Sequence, residues 1–285
     1  MGIDLFLVAF ADQICFNSRR ALPTGGMVFE ETRGMRAIMS LWRHGDLITT
    51  QDGSLTVKDP IVGECYHSQM GARREARELY IEASGLAERW NKPDVNGGTS
   101  PLEILDVGLG LGYNAMATIE AWMSSPNVGS LLLQSLEVDQ DLVALLASGQ
   151  APWQQGWDQI LLDAVGSLKS QTDSIWTTQI KHPISSAICS WTIRIGDASN
   201  LAVKPMSSRG FDYIWQDPFS PEKNPKMWTS DWFRKLRPGT HPQTLLMTYS
   251  VARAVRDHLT EGGWVWEKFP SNSGIKRHWL RAKPA

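Results

Sequence analysis

The sequence predicts an α/β protein built on a doubly wound, mostly parallel sheet, and three observations predict it. From about residue 100 onward, short continuous apolar runs alternate with amphipathic segments, the pattern of strands buried on both faces and covered by helices. The first run stops at a glycine-rich turn, Gly108-Leu109-Gly110-Leu111-Gly112, that opens a helix. Two later runs stop at acids, Glu137 and Asp217, and open parallel sheets bind ligands beyond the carboxyl ends of their strands.

The 285 residues, 42% of them apolar, suffice for one large core. A formal charge of −2 gives no global field for a polyanion, so nucleic-acid contact falls to local patches. The stretch from Lys268 to Ala285 is one, with Lys268, Lys276, Arg277, Arg281 and Lys283 and no acid; a solvated edge is the plainer alternative. Cys15, Cys65 and Cys189 are far apart without CxxC spacing, which speaks against a disulfide framework or zinc site and fits a reducing cytoplasm. The six histidines form no HxxxH or HExxH pattern, so no metal is expected. The apolar run LFLVAFA lies between Asp4 and Asp12 and is too short to span a bilayer, so neither signal peptide nor membrane helix is expected.

Residues 1–43 show no clear period and form an extension of unclear structure. Asp52-Gly53 sits between two alternating runs, the signature of a hairpin over 47–60. Ala72, Ala76, Leu79, Ala83, Leu86 and Trp90 then fall on one face of a single helix. The segment NKPDVNGG reads as a linker, so residues 44–99 form a hairpin and helix packed on a catalytic domain at 100–285. In that domain the predicted strands are LEILDV, SLLLQSLEV, TIRIGD, FDYIWQD, TLLMTYS, WVWEKF and HWLRA, with helices after most of them.

LEILDV carries Asp106 two residues before the first glycine. The spacing is GxGxG, whereas a dinucleotide fingerprint needs GxGxxG and places a pyrophosphate on the helix N-terminus. The D-x-G-x-G-x-G order resembles motif I of class I S-adenosylmethionine-dependent methyltransferases, with Asn114 opening the helix; a mere tight turn is the alternative. Glu137 suits ribose hydroxyls, accepting both in a bidentate way, and Asp139 suits capping of the next helix. Asp197, after Gly196, suits an adenine amine or a structural turn. The loop after Asp217 holds Pro218, Pro221 and Pro225, rigid residues without N–H groups that hold it open. Its D-P-F-S loosely resembles the loop of methyltransferases that modify exocyclic amines. Methyl transfer to nitrogen needs a neutral lone pair, and an alkylamine with a pKa near roughly 10 is protonated at pH 7. Asp217 is thus the candidate catalytic acid that positions the amine and takes its proton.

The segments GECYHSQMGARREARELY, ILDVGLGLGYNA, SLEVD, DPFSPEKNPKMWT, TYSVARAVRDHL and GIKRHWLRA, in that order, are together similar to the MnmC/MnmD-type tRNA methyltransferases over about residues 45–283. The resemblance implies a Rossmann-like class I methyltransferase fold and S-adenosyl-L-methionine as cofactor. It also implies methylation of 5-aminomethyl-(2-thio)uridine at the tRNA wobble position, hence a tRNA anticodon loop as partner. It assigns Gly108, Gly110, Glu137 and Asp197 to the cofactor and Asp217 to the aminomethyl target. Tyr66, His67 and Glu75 fall in an upstream motif that closes the cofactor pocket or serves as a structural corner. Phe219, Trp228 and Tyr249 are candidates for stacking on a flipped-out uridine, and Lys223, Lys276 and Arg277 for phosphate contacts. Pro218, where the family has a small residue, and the polar Gln216 depart from its pattern. No second glycine fingerprint is present, so no flavin domain is expected here. Methylation of another amine by a class I enzyme, or a binding protein that retains the fold, are the competing readings.

Overall fold

The turn at Asp52-Gly53 closes β1 (Asp46–Thr49) on β2 (Leu55–Lys58) as an antiparallel hairpin. A computed structural model describes this and the other elements for residues 45–91, 101–126, 128–271 and 278–285. The expected extension at 1–43 and the phosphate candidates Lys276 and Arg277 lie outside the described residues.

The single helix read over 71–90 is broken into three pieces. These are α1 (Ala72–Glu75), a π-helix (Ala76–Glu82) and α2 (Leu86–Asn91). The Ala83 N–H reaches back five residues to the Glu78 carbonyl at 3.0 Å, the wider turn that defines a π-helix. Ala76, Leu79, Tyr80 and Ile81 are all buried, a broader apolar stripe than one α-helical face offers.

Among the described residues a nine-stranded sheet follows, in the order β10-β11-β9-β8-β3-β4-β7-β6-β5. Its middle is parallel: β7 (Ile188–Ile195), β4 (Leu131–Glu137), β3 (Leu102–Val107), β8 (Phe211–Gln216) and β9 (Thr240–Thr248). The edges are antiparallel, with β10 (Trp264–Pro270) and β11 (His278–Pro284) on one side. On the other side are β5 (Lys169–Thr172) and β6 (Ile175–Lys181). This second pair has no counterpart in the sequence reading, because β5 is exposed throughout and β6 is rich in polar residues. Among the described residues five α-helices accompany the sheet: α3 (Tyr113–Ser124), α4 (Gln140–Ala147), α5 (Gln159–Gly166), α6 (Ser230–Leu236) and α7 (Arg253–Glu261). β3 and β8 are buried at every position, as strands covered on both faces must be.

Residues Asp46–Ala285 form one compact unit, to which the hairpin is tied by the Tyr113 hydroxyl donating to the Leu55 carbonyl at 2.7 Å. The buried Asp212 carboxylate receives Arg89 at 2.7 Å and the Glu103 amide at 2.9 Å, fixing α2 to β3 and β8. The chain leaves β3 for β4 on one side and returns to β8 on the other, which makes the carboxyl end of β3 the switch point. No helix among the described residues is long and apolar enough to cross a membrane.

Candidate active site at the switch point

A cavity of about 400 Å³ opens there, within the size range of small-molecule sites. Its walls come from the loops after β2, β3, β4, β7 and β8. Carboxylates of Asp59, Glu137, Asp139, Asp197 and Asp217 face it against two lysines, Lys223 and Lys226, a balance suited to a cationic ligand.

The glycine loop meets the requirement for close backbone approach. Gly108 and Gly110 have φ of 87° and 52°, conformations costly for other residues. A Cβ on Gly108 would lie 2.9 Å from the Asp217 carbonyl oxygen, and one on Gly110 3.0 Å from the Tyr66 ring. The Gly108 and Leu109 amides bond to the Leu136 carbonyl at 3.1 and 3.0 Å, locking the loop to the end of β4.

Glu137 lies in the cavity wall, 9% exposed. Its Oε2 accepts from the Gly110 amide at 2.8 Å, and its Oε1 from the Val138 and Asp139 amides at 2.8 and 3.0 Å. Burial raises its pKa, while these amides oppose the rise. Three of about four acceptor positions are thus taken, and the bidentate grip on a ribose read from the sequence requires one amide to let go. Asp139 caps α4 through the Asp141 and Leu142 amides at 2.9 and 3.0 Å.

Asp197 lines the opposite wall, and its Oδ1 is held by the Ser199 amide at 2.9 Å and hydroxyl at 2.6 Å. These bonds hold its carboxyl below the usual range. Its Oδ2, 3.4 Å from Asn200 and 3.8 Å from Lys226, faces a more open side.

Asp217 faces the cavity at the end of β8 and is enclosed by protein elsewhere. The Asn114 amide donates to its Oδ2 at 2.6 Å. Burial first, then the nearby Glu75 and Asp106 carboxylates, push its pKa up to about 8, against the opposing effect of Tyr80 and Asn114. Tyr66 lies over Gly110, meets the Phe219 ring at a 53° tilt with centroids 4.8 Å apart, and donates to Asp59 at 3.3 Å. His67 completes that wall, with its pKa lowered by burial to about 3, so its imidazole is neutral.

Other candidates occupy different places. Asp106 is 0% exposed and does not reach the cavity wall; it accepts from the Ser135 hydroxyl at 2.9 Å, and burial raises its pKa to about 7. Asn114 also lies behind the wall, 2% exposed, where it serves Asp217. Glu75 accepts from the Ser68 amide at 2.9 Å. Trp228 is 2% exposed in the core beside α6 and donates to the Phe219 carbonyl at 2.9 Å, so it supports the loop and offers no face to a base. Tyr249 meets Trp228 edge-on at 5.7 Å and donates to the Pro218 carbonyl at 2.9 Å. Phe219 and Lys223 do line the cavity. Gln216, the polar departure, is buried and holds Met227 and Trp232 at 2.7 and 3.0 Å.

Glu64 was not singled out by the sequence. Its carboxylate receives the Ser220 amide at 3.1 Å and hydroxyl at 2.5 Å, clamping the Asp217 loop to the loop after β2. A separation of 156 residues leaves no local signal of this pair.

A family model described as S-adenosyl-L-methionine-dependent methyltransferase matches residues 163–285. The tRNA 5-methylaminomethyl-2-thiouridine biosynthesis bifunctional protein MnmC of Azoarcus sp. (strain BH72) is 30% identical over 227 residues, covering 78% of this chain and 33% of that protein. The MnmC protein of Aromatoleum aromaticum is 29% identical over 238 residues, covering 83% of this chain and 35% of that one. The chain thus spans about a third of the length of the curated relatives it matches. The crystal structure of MNMC2 from Aquifex aeolicus superposes with a TM-score of 0.61 at 21% identity, covering 99% of this chain and 83% of that chain. Its likeness establishes the fold.

Proposed function

We propose that the chain is an S-adenosyl-L-methionine-dependent methyltransferase that methylates the exocyclic amine of 5-aminomethyl-(2-thio)uridine at the tRNA wobble position. The product is 5-methylaminomethyl-(2-thio)uridine. The carrying observation is Asp217, a half-buried carboxyl at the cavity wall that accepts from Asn114 at 2.6 Å and whose pKa is pushed up to about 8. The names of the MnmC relatives support this choice of amine.

The cofactor, when bound, supplies an electrophilic methyl on a sulfonium. Gly108 and Gly110 would let the backbone approach it, Glu137 would accept from its ribose and Asp197 from its adenine amine. Asp217 takes the proton of the substrate ammonium, so that the nitrogen attacks with a free lone pair. An amine of pKa near roughly 10 lies about two units above this carboxyl, against about six for an ordinary aspartate. The barrier to proton transfer is correspondingly lower. Phe219, in tilted contact with Tyr66, would stack on the extruded base, and Lys223 at the rim would meet phosphate. The buried placement of Trp228 removes it from that set, and Tyr249 acts through the Pro218 carbonyl.

Nucleoside mass spectrometry of tRNA from a strain lacking the gene tests this reading. Loss of the methylaminomethyl nucleosides with accumulation of the aminomethyl precursor is expected. Unchanged nucleosides would refute it.

A further inference from the structure

Asp217 is approached from beneath by a residue that the proposed reaction does not use. The π-helix Ala76–Glu82 packs on α3 and on β9 and carries Tyr80, 0% exposed. The Tyr80 ring lies 5.5 Å from Trp215 on β8, two residues before Asp217. Trp215 in turn donates to Thr118 at 3.2 Å, one helical turn beyond Asn114 on α3. Tyr80 and Asn114 therefore flank one carboxylate from two different helices. The Tyr80 hydroxyl is buried with no hydrogen-bond partner among the described residues, and Asp217 is the foremost charged group that acts on it. A buried hydroxyl left this way is costly, and π-helical turns are frequent at functional sites.

We propose that Tyr80 is a positioning residue for Asp217: the π-helix aims its hydroxyl at the carboxylate, and it donates most strongly when Asp217 has given up its proton. The inference rests on the reading of Asp217 as the group that takes the amine proton. A hydroxyl that donates only to the charged form resists the rise that burial and the neighbouring Glu75 and Asp106 impose. The other titratable group facing Asp217 is Tyr249, after β9, whose hydroxyl is directed to the Pro218 carbonyl. Asn114 donates to the carboxyl at 2.6 Å, and in this role Tyr80 adds a second donor once the carboxyl is charged.

The test uses infrared titration of the Asp217 carboxyl in the protein without substrate, identified by subtracting the spectrum of Asp217→Asn. In Tyr80→Phe the transition moves up by about one pH unit or more. 3-Fluorotyrosine at position 80, a more acidic phenol with ring and hydroxyl retained, moves it down. Methyl transfer by Tyr80→Phe follows, with kcat depressed about tenfold at pH 7 and recovered at higher pH, while KM for S-adenosylmethionine stays within about threefold. An unmoved Asp217 transition in both variants overturns the inference. Movement of the transition with no methylation of aminomethyluridine by any form, wild type included, leaves the Tyr80 role standing and defeats the substrate reading instead.

Discussion

The Asn114 side chain donates to Asp217 at 2.6 Å, joining the helix after the glycine loop to the acid that follows β8. One amide thus couples the helix after the glycine loop to the loop after β8, and it places the buried Asn114 against the Asp217 carboxyl. We expect Asn114→Ala to leave the S-adenosylmethionine dissociation constant within about threefold and to lower kcat about tenfold or more, because Asp217 loses a donor to its charged form. Isothermal titration and steady-state kinetics separate the two effects.

Asp217→Asn keeps the size of the side chain and removes the base. Its kcat falls by about a hundredfold or more with cofactor affinity changed only a few-fold.

The same substitution stabilises the fold in a pH-dependent way. With a folded-state pKa of about 8, Asp217 retains a proton between about pH 4 and 8 that the unfolded chain releases. Stability therefore falls as pH rises through that window. Thermal unfolding of Asp217→Asn should exceed wild type by about 3 °C or more at pH 8, and match it near pH 4.

The rate should also rise with pH. Asp217 must be ionised to accept the amine proton, so kcat for methyl transfer climbs through an ascending limb centred near 8. A pH profile flat from 6 to 9 would remove this carboxyl from the rate.

Gly110→Ala tests the cofactor cradle. A Cβ there meets the Tyr66 ring at 3.0 Å on a backbone at φ 52°, a conformation costing about 1–2 kcal/mol. The S-adenosylmethionine dissociation constant should rise about tenfold or more, read by titration calorimetry.

What the sequence made legible is what lies at strand ends. Glycines after β3, Glu137 at the end of β4 and Asp217 after β8 are local features, and the sheet carries them to one place. What it hid depends on residues far apart. Ala72, Ala76, Leu79, Ala83 and Leu86 keep the spacing of one α-helical face across the π-helix, so the aim proposed for Tyr80 was invisible. The Glu64 to Ser220 clamp spans 156 positions. Trp228 has the ring that a stacking platform needs, but an aromatic residue type does not reveal which way it faces, and this one points into the core. Asp106 sits at a motif position yet turns to Ser135 beneath the loop. β5 and β6, polar and partly exposed, lacked the apolar runs that announced the other strands.

The most direct measurement incubates the purified protein with methyl-labelled S-adenosylmethionine and tRNA bearing 5-aminomethyl-2-thiouridine, then digests the tRNA and weighs its nucleosides. The account predicts a mass gain of one methyl on that nucleoside, carrying the label, and none with Asp217→Asn under the same conditions. Label transferred elsewhere in the tRNA, or an unmodified aminomethyl nucleoside beside protein that binds the cofactor, would contradict it.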